Sequence, residues 1–200
     1  MKDKSRPRIW TTGTYDRLAG YYDLLMKLFF PLGEKGRVRI VSRLNAGFIL
    51  DIACGTGTLL AMAWERGLRC YGIDSSRGML AQARVKVPQA EFSRGSYYEL
   101  PYPGEYFDYV VETNALSGEF IDARKVIAEM LRVCKSGGEI YLAEWPKALE
   151  ETRIERLIVK LASLNEDAPK DYLRIFRALG YEPEVEVINK RYHVFGIKKS

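Results

Sequence analysis

Residues 50–57, LDIACGTG, close a short apolar run and lead into TLLAMAWERG, a stretch of helical composition. A glycine-rich turn between a strand and a helix is the usual cradle for a nucleotide phosphate, because backbone N–H groups and the positive end of the helix converge there. Asp51 at the mouth of this turn argues against a phosphate, which its carboxylate would repel. The spacing argues the same way. A mononucleotide P-loop requires GxxxxGK[ST], which is absent, and a dinucleotide turn requires a third glycine where this chain, after Gly55 and Gly57, has Leu60.

What remains is a ligand without phosphate. S-adenosylmethionine carries an ammonium, a sulfonium and a carboxylate at its amino-acid end, so Asp51 supplies a favourable field for the cations. Gly55 and Gly57 let the backbone approach closely, and carbonyls near Ala53 and Cys54 are placed to accept from the ammonium. A second element is Asp74, closing RCYGID: an acid after the second strand can accept from both ribose hydroxyls, a feature shared with dinucleotide folds. Ser75 and Ser76 then open the next helix as caps. Met79 lies one turn in, where it either covers an adenine or packs in the core.

Outward from this motif the chain alternates. Strand GFILDIA is followed by a helix to Arg66, strand RCYGID, helix SRGMLAQARVK, strands AEFSRG and YFDYVVET, helix DARKVIAEMLRVC and strand GEIYLAE. Strands separated by helices predict βαβ units and a parallel sheet covered on both faces. Before them, residues 14–32 carry Leu18, Tyr21, Tyr22, Leu25, Leu28, Phe29 and Leu32 at helical spacing, ended by Pro31 and Gly33, and EKGRVRIVSRL reads as a second helix. The last third predicts a helix over 149–163, another over 170–179 stopped by Gly180, and an antiparallel hairpin in which EPEVEVI and YHVFGI flank a two-residue turn at Asn189 and Lys190. The expectation is one domain, residues 1–44 forming a tail and lid helices and residues 45–200 the ligand-binding unit.

Composition narrows the function classes without choosing among them. At 200 residues and 47% hydrophobic content the chain suits one globular domain, and a net charge of +5, spread along the sequence, permits an anionic partner without requiring one. Three scattered cysteines without CxxC and a single histidine predict neither a disulfide framework nor a metal site. The charged start MKDKSRPRIWTTG lacks an apolar h-region, and no stretch approaches the roughly 18 apolar residues of a membrane span, so the expected location is the cytoplasm.

These segments together resemble the class I S-adenosylmethionine-dependent methyltransferases over nearly the whole chain. ILDIACGTGTL is similar to their glycine-rich motif and YGIDSSRGML to their acidic-loop motif. GSYYELPYPGEYFDYVVETNAL is similar to the adenine and substrate-facing motifs, and MLRVCKSGGEIYLAEW to the segment entering the fifth strand. YDRLAGYYDLLMKL is similar to the N-terminal YDxxAxxYD pattern of the ubiquinone/menaquinone and phospholipid N-methyltransferase branch. The resemblance implies a Rossmann-like α/β fold of seven mostly parallel strands, the last antiparallel, under an N-terminal helical lid. It implies that Tyr22 meets the methionine carboxylate, that Asp51 to Gly57 hold the amino-acid end, that Asp74 binds ribose, and that Gly95, Ser96 and Tyr97 flank adenine. Ser96 departs from the family's usual aspartate, and a hydroxyl accepts from the adenine amine more weakly than a charged oxygen.

Methyl transfer is an in-line displacement from a good leaving group, so alignment supplies much of the work and no catalytic triad is needed. The fourth strand ends in VVETNAL, which puts Glu112 and Asn114 at the carboxyl edge where ligands of open α/β sheets bind. Glu112 joins the cofactor candidates, while Tyr15, Asn114 and Trp145 are candidate substrate contacts. His193 falls in the final strand, where packing is the expected role. The predicted activity is transfer from S-adenosylmethionine, with S-adenosylhomocysteine as product and no metal, to a small-molecule or lipid-like acceptor. An RNA or protein methyltransferase and a non-catalytic cofactor-binding subunit are the alternatives, with nucleic acid not favoured as a partner. Neither the accepting atom nor the oligomeric state is legible.

Overall fold

β1 (Phe48–Ile52), the strand that the LDIACGTG turn closes, lies between two parallel neighbours, β2 (Arg69–Asp74) and β4 (Phe107–Thr113). In this computed structural model, which describes residues 11–29, 31–118, 121–146 and 170–200, β3 (Glu91–Arg94) pairs parallel with β2, and β5 (Cys134–Glu144) pairs parallel with β4. β6 (Glu184–Asn189) and β7 (Tyr192–Lys198) form the antiparallel hairpin, and β7 inserts beside β5. The order is β3-β2-β1-β4-β5-β7-β6. The sheet therefore reverses its winding between β1 and β4, and the crevice at the carboxyl ends of those strands is where open α/β sheets bind ligands.

Alternation along the strands separates two cores. Leu50, Ile52, Val110, Ile140, Leu142 and Phe195 face α6 (Ala123–Val133) and α7 (Tyr172–Ala178). Ile49, Val111, Tyr141, Ala143 and Val194 face α3 (Pro31–Arg43), α4 (Thr58–Glu65) and α5 (Arg77–Lys86). Because side chains alternate with period two, Asp51 is carried toward the α3 side, whereas Glu112 and Glu144 are carried toward the α6–α7 side.

The sequence expectations meet three adjustments. The single helix over 14–32 is two, α1 (Thr12–Leu18) and α2 (Tyr22–Phe29), separated by a turn through Ala19, Gly20 and Tyr21. Pro31 opens α3 instead of ending a helix; at a first helical position proline gives up only an N–H that has no intrahelical partner. The hairpin turn is Lys190–Arg191, one residue later than expected, and the Asn189 side chain closes it by accepting from Arg191 N at 2.8 Å. The helix expected over 149–163 lies outside the described residues. Among the described residues no helix is long and apolar enough to cross a membrane.

Candidate functional site

The turn after β1 is built from left-handed backbone. Ala53, Gly55 and Gly57 have φ of 53°, 53° and 76°, and Gly55 and Gly57 take these values without the Cβ penalty that Ala53 bears. The turn is fastened to β2 by Cys54 N donating to Ile73 O at 3.0 Å, and to itself by Gly57 N donating to Cys54 O at 2.9 Å. A Cβ on Gly55 would meet nothing within 4 Å, so the backbone there faces open space, whereas one on Gly57 would stand 3.1 Å from Ala83 Cβ. Gly55 thus faces the crevice, and Gly57 is the contact between the turn and α5.

Asp51 ends up 2% exposed with its Oδ1 unpartnered. Burial pushes its carboxyl up to about 8, and the opposing charge is that of Arg37 on α3. Arg37 Nε is likewise buried without a hydrogen-bond partner. Its guanidinium lies beside Asn114: a Cβ on Gly33 would come 3.1 Å from Asn114 Nδ2 and 3.5 Å from Arg37 Nη1. Tyr22 belongs to the same group. Burial raises its phenol, and Arg37, Asp74 and Asp23 all act on it electrostatically.

Asp74 uses both oxygens on backbone, accepting from Gly55 N at 2.9 Å and from Ser76 N at 2.8 Å. Burial nonetheless keeps its carboxyl above the usual range. Each oxygen retains a second lone pair for a hydroxyl donor. Ser76, not Ser75, is the N-cap of α5, and its Oγ accepts from Met79 N at 3.1 Å. Met79 itself is buried in the first turn of α5. Ser75, Arg94, Gly95 and Ser96 line a depression of about 320 Å³ next to these groups. Tyr97 packs edge-on against Tyr98 at 4.9 Å, and burial pushes its phenol up to about 12. Ser96 Oγ accepts from Tyr98 N at 3.2 Å.

On the far side of β4 stands a pair of wholly buried acids. Glu112 accepts from Ala115 N and Glu144 from Leu116 N, both at 2.5 Å, and Glu144 also accepts from Trp145 N at 3.1 Å. The loops after β4 and β5 are therefore tied to the same two carboxyls. Burial raises Glu112 well above the carboxylate range, with the Glu144 charge adding to the effect, and burial pushes Glu144 up to about 7. The Trp145 ring packs on Tyr192 at 5.1 Å, and Asn114 adopts a φ of 63° with its N donating to Ala143 O. Tyr15 stands edge-on to Tyr22 at 6.1 Å. His193 is in β7 beside Phe195, and burial holds its imidazole below the usual value.

Four participants were not singled out from the sequence. Arg37 is one of four basic residues in EKGRVRIVSRL, and nothing local distinguishes it. Glu144 sits in an apolar strand. Asp16 and Asp23, the two aspartates of YDRLAGYYD, carried a signal in that pattern, and both reach the domain. Asp16 accepts from Ser76 Oγ at 2.6 Å and from Gly78 N at 2.8 Å, while Asp23 accepts from Thr56 Oγ1 and Lys86 Nζ, each at 2.5 Å. Asp16 thus anchors α1 to the start of α5.

An orphaned carboxylate oxygen and an orphaned guanidinium nitrogen, gathered at an open glycine turn beside a two-oxygen acceptor, fit a zwitterionic amino acid joined to a nucleoside. The arrangement suits S-adenosylmethionine.

Comparisons with known proteins agree. Residues 49–138 match a family described as a methyltransferase domain. The chain is 30% identical to the demethylmenaquinone methyltransferase of Chlorobaculum parvum over 217 aligned positions, covering 100% of this chain and 88% of the relative. It is 36% identical over 122 residues to the phosphatidylethanolamine N-methyltransferase of Cereibacter sphaeroides, covering 57% of this chain. The chain spans 59% of that relative's length, as it does of a demethylmenaquinone methyltransferase of Thermotoga maritima. The fold recurs in a Thermotoga maritima structure described as a methyltransferase, a possible histamine N-methyltransferase. Its TM-score is 0.74 at 16% identity, with 95% of this chain and 100% of that one covered. The chain belongs to the class I S-adenosylmethionine-dependent methyltransferases, in the branch that contains the demethylmenaquinone and phosphatidylethanolamine enzymes.

Proposed function

We propose that this protein transfers the methyl group of S-adenosylmethionine to a small-molecule or lipid-like acceptor in the cytoplasm, releasing S-adenosylhomocysteine. The observation that carries the reading is the pair of buried, unpartnered polar atoms, Asp51 Oδ1 and Arg37 Nε, near the open turn. Leaving such atoms unpaired costs free energy that a bound zwitterion offsets.

In this reading Asp51 and the carbonyls of Ala53 and Cys54 hold the ammonium. Arg37 holds the carboxylate, with Tyr22 as a second donor, and Asp74 accepts from the ribose hydroxyls. Ser75, Met79, Gly95, Ser96 and Tyr97 surround the adenine, and Glu112 holds the loop after β4 that borders it. The bound cofactor supplies a methyl group on a sulfonium, already activated for displacement, so no metal is invoked. Asn114, Trp145 and the Tyr15–Tyr22 ring pair frame the acceptor, and the chain's work is to exclude water and align the nucleophile. An acceptor with an apolar part is supported by the names of the relatives, which act on demethylmenaquinone and phosphatidylethanolamine.

Calorimetry with S-adenosylhomocysteine is the test. Wild type binds, while Asp74→Asn and Arg37→Gln each weaken binding by on the order of tenfold to a hundredfold, the effect of losing a hydrogen bond to a charged group. Absence of binding by folded wild-type protein ends the reading. Binding without methyl transfer to any lipid, small-molecule, RNA or protein fraction of a cell extract makes the chain a non-catalytic subunit instead.

A further inference from the structure

α2 presents an apolar stripe to solvent. Tyr21, Leu24 and Leu28 are 70%, 58% and 64% exposed. At about 100° per residue, Leu24, Leu28 and Tyr21 lie roughly 100°, 140° and 160° around the helix from Asp23. Asp23 is held to Lys86, Thr56 and Thr58 of the domain, so the stripe must point away from it. The other exposed large apolar side chains among the described residues are spread over α3, α4, α5, the loop after β3 and edge strand β6. Among the described residues, only α2 with Tyr21, the residue just before its first turn, gathers three of them at i, i+3 and i+7.

Charge selects the partner. Arg17 and Lys27 are exposed along the same lid. Residues 1–10, MKDKSRPRIW, carry four basic side chains against one acid and end in Trp10. The acids of the lid, Asp16 and Asp23, are turned inward onto Ser76 and Lys86. An apolar stripe on helices whose cations Arg17 and Lys27 are exposed, and whose acids are engaged by donors of the domain, is complementary to an anionic lipid surface. The α2 helix has 8 residues, a length of about 12 Å against a hydrocarbon core of about 30 Å, so it lies in the headgroup plane and does not span.

We propose that the outward face of α2, through Leu24 and Leu28 with Tyr21 just before it, and with the exposed Arg17 and Lys27 of the same two helices, docks this protein on an anionic membrane surface. Docking there sets the lid helix and the crevice behind it at the level where a lipid-like acceptor resides. It needs no turnover and is tested apart from the catalytic reading.

The experiment is flotation with vesicles of mixed phosphatidylcholine and phosphatidylglycerol, and with pure phosphatidylcholine, at low and high salt. Wild type floats with the anionic vesicles, at least about tenfold more than with the neutral ones, and high salt reduces the difference. Leu24→Ser/Leu28→Ser lowers flotation at least about tenfold on anionic vesicles while binding S-adenosylhomocysteine as wild type does, which also shows that it is folded. Arg17→Gln/Lys27→Gln erases part of the preference for anionic lipid. Equal flotation on both vesicles, or undiminished flotation of the double serine variant, overturns the proposal. So does a dimer seen by light scattering that the serine variant dissociates, with no vesicle binding: the stripe is then an interface between two copies. Flotation by a protein that binds no S-adenosylhomocysteine sinks the proposed function and leaves the docking surface standing.

Discussion

Lys86 Nζ lies 2.5 Å from Asp23 Oδ2, so the last residue of α5 holds the first turn of α2 against the domain. Thr56 and Thr58, at the start of α4, share both partners. α2 is therefore fastened where α4 begins, beside the glycine turn, and moving it away from the domain requires this cluster to break.

Replacing Lys86 by alanine should loosen the lid without unfolding the domain. The pair is partly exposed, at 28% and 52%, so its worth to global stability is about 1 kcal/mol or less. Hydrogen exchange over residues 12–29 should nonetheless accelerate, and S-adenosylhomocysteine should slow it again. Burial works to raise the Asp23 carboxyl, but Lys86, Thr56 and Thr58 outweigh it and hold the group below its usual 3.8. A depressed carboxylate contributes its stabilisation above the unfolded value and loses it as pH falls through the folded one. Corrected for the intrinsic pH dependence of amide exchange, the protection of α1 and α2 should thus be constant near neutrality and fall only below about pH 4.

Gly78→Ala separates docking of the lid from stability of the helix. Alanine gains about 1 kcal/mol of propensity inside a helix, but a Cβ there would stand 2.6 Å from Asp16 O and 2.8 Å from Asp16 Cα. Backbone atoms cannot swing aside as a side-chain end can, so α1 must move. The expected result is a melting temperature close to wild type together with faster exchange over residues 12–18. A lowered melting temperature with unchanged exchange would contradict this.

Cofactor binding should release a proton. Burial holds Asp51 near 8 in the empty site, so at pH 7 its carboxyl is mostly protonated, and an ammonium placed against it favours the charged form. Calorimetry of S-adenosylhomocysteine at pH 7 in buffers of different ionisation enthalpy should report release approaching one proton. Asp51→Asn should abolish that release and weaken binding by about tenfold or more. Equal heats in all buffers for wild type would remove Asp51 from the ammonium site.

The Glu112–Glu144 pair makes a prediction about stability and pH. A carboxyl raised by burial stabilises fully below its unfolded value and loses that contribution as pH rises through the folded one, which for Glu144 is about 7. Stability should therefore fall between roughly pH 5 and 8 on account of this group. Glu144→Gln keeps the shape but loses one acceptor for Leu116 N or Trp145 N, at a cost of about 1–3 kcal/mol at pH 5. The gap to wild type should narrow by pH 8 in urea titrations. A constant gap would mean that Glu144 does not titrate there.

The order of strands and helices was legible because it rests on local periodicity and turn chemistry. GFILDIA, RCYGID and YFDYVVET are apolar runs bounded by turn residues, and β1, β2 and β4 fall within them. The glycine turn announced its ligand through Asp51, since an acid and a phosphate cradle are incompatible within a few residues. The break between α1 and α2 was hidden because the apolar spacing continues through Gly20, and Pro31 was misread because a proline that ends one helix also suits the first position of the next.

The sequence by itself determined the fold class, the turn that faces the crevice and the acid that closes β2, each encoded within a window of some ten residues. Tertiary structure alone decided which buried charges meet. Arg37 acts on Asp51 because α3 packs on the face of the sheet toward which β1 carries that acid, against β4, β5 and β7. Glu112 reaches Glu144 because parallel register sets the ends of β4 and β5 side by side, and Asp16 and Asp23 tie α1 and α2 to the domain because Ser76, Gly78, Thr56 and Lys86 offer them donors. The physical reason is that a charge finds its partner through space: burial makes the pairing strong, and chain separation leaves no trace of it in the local pattern of residues.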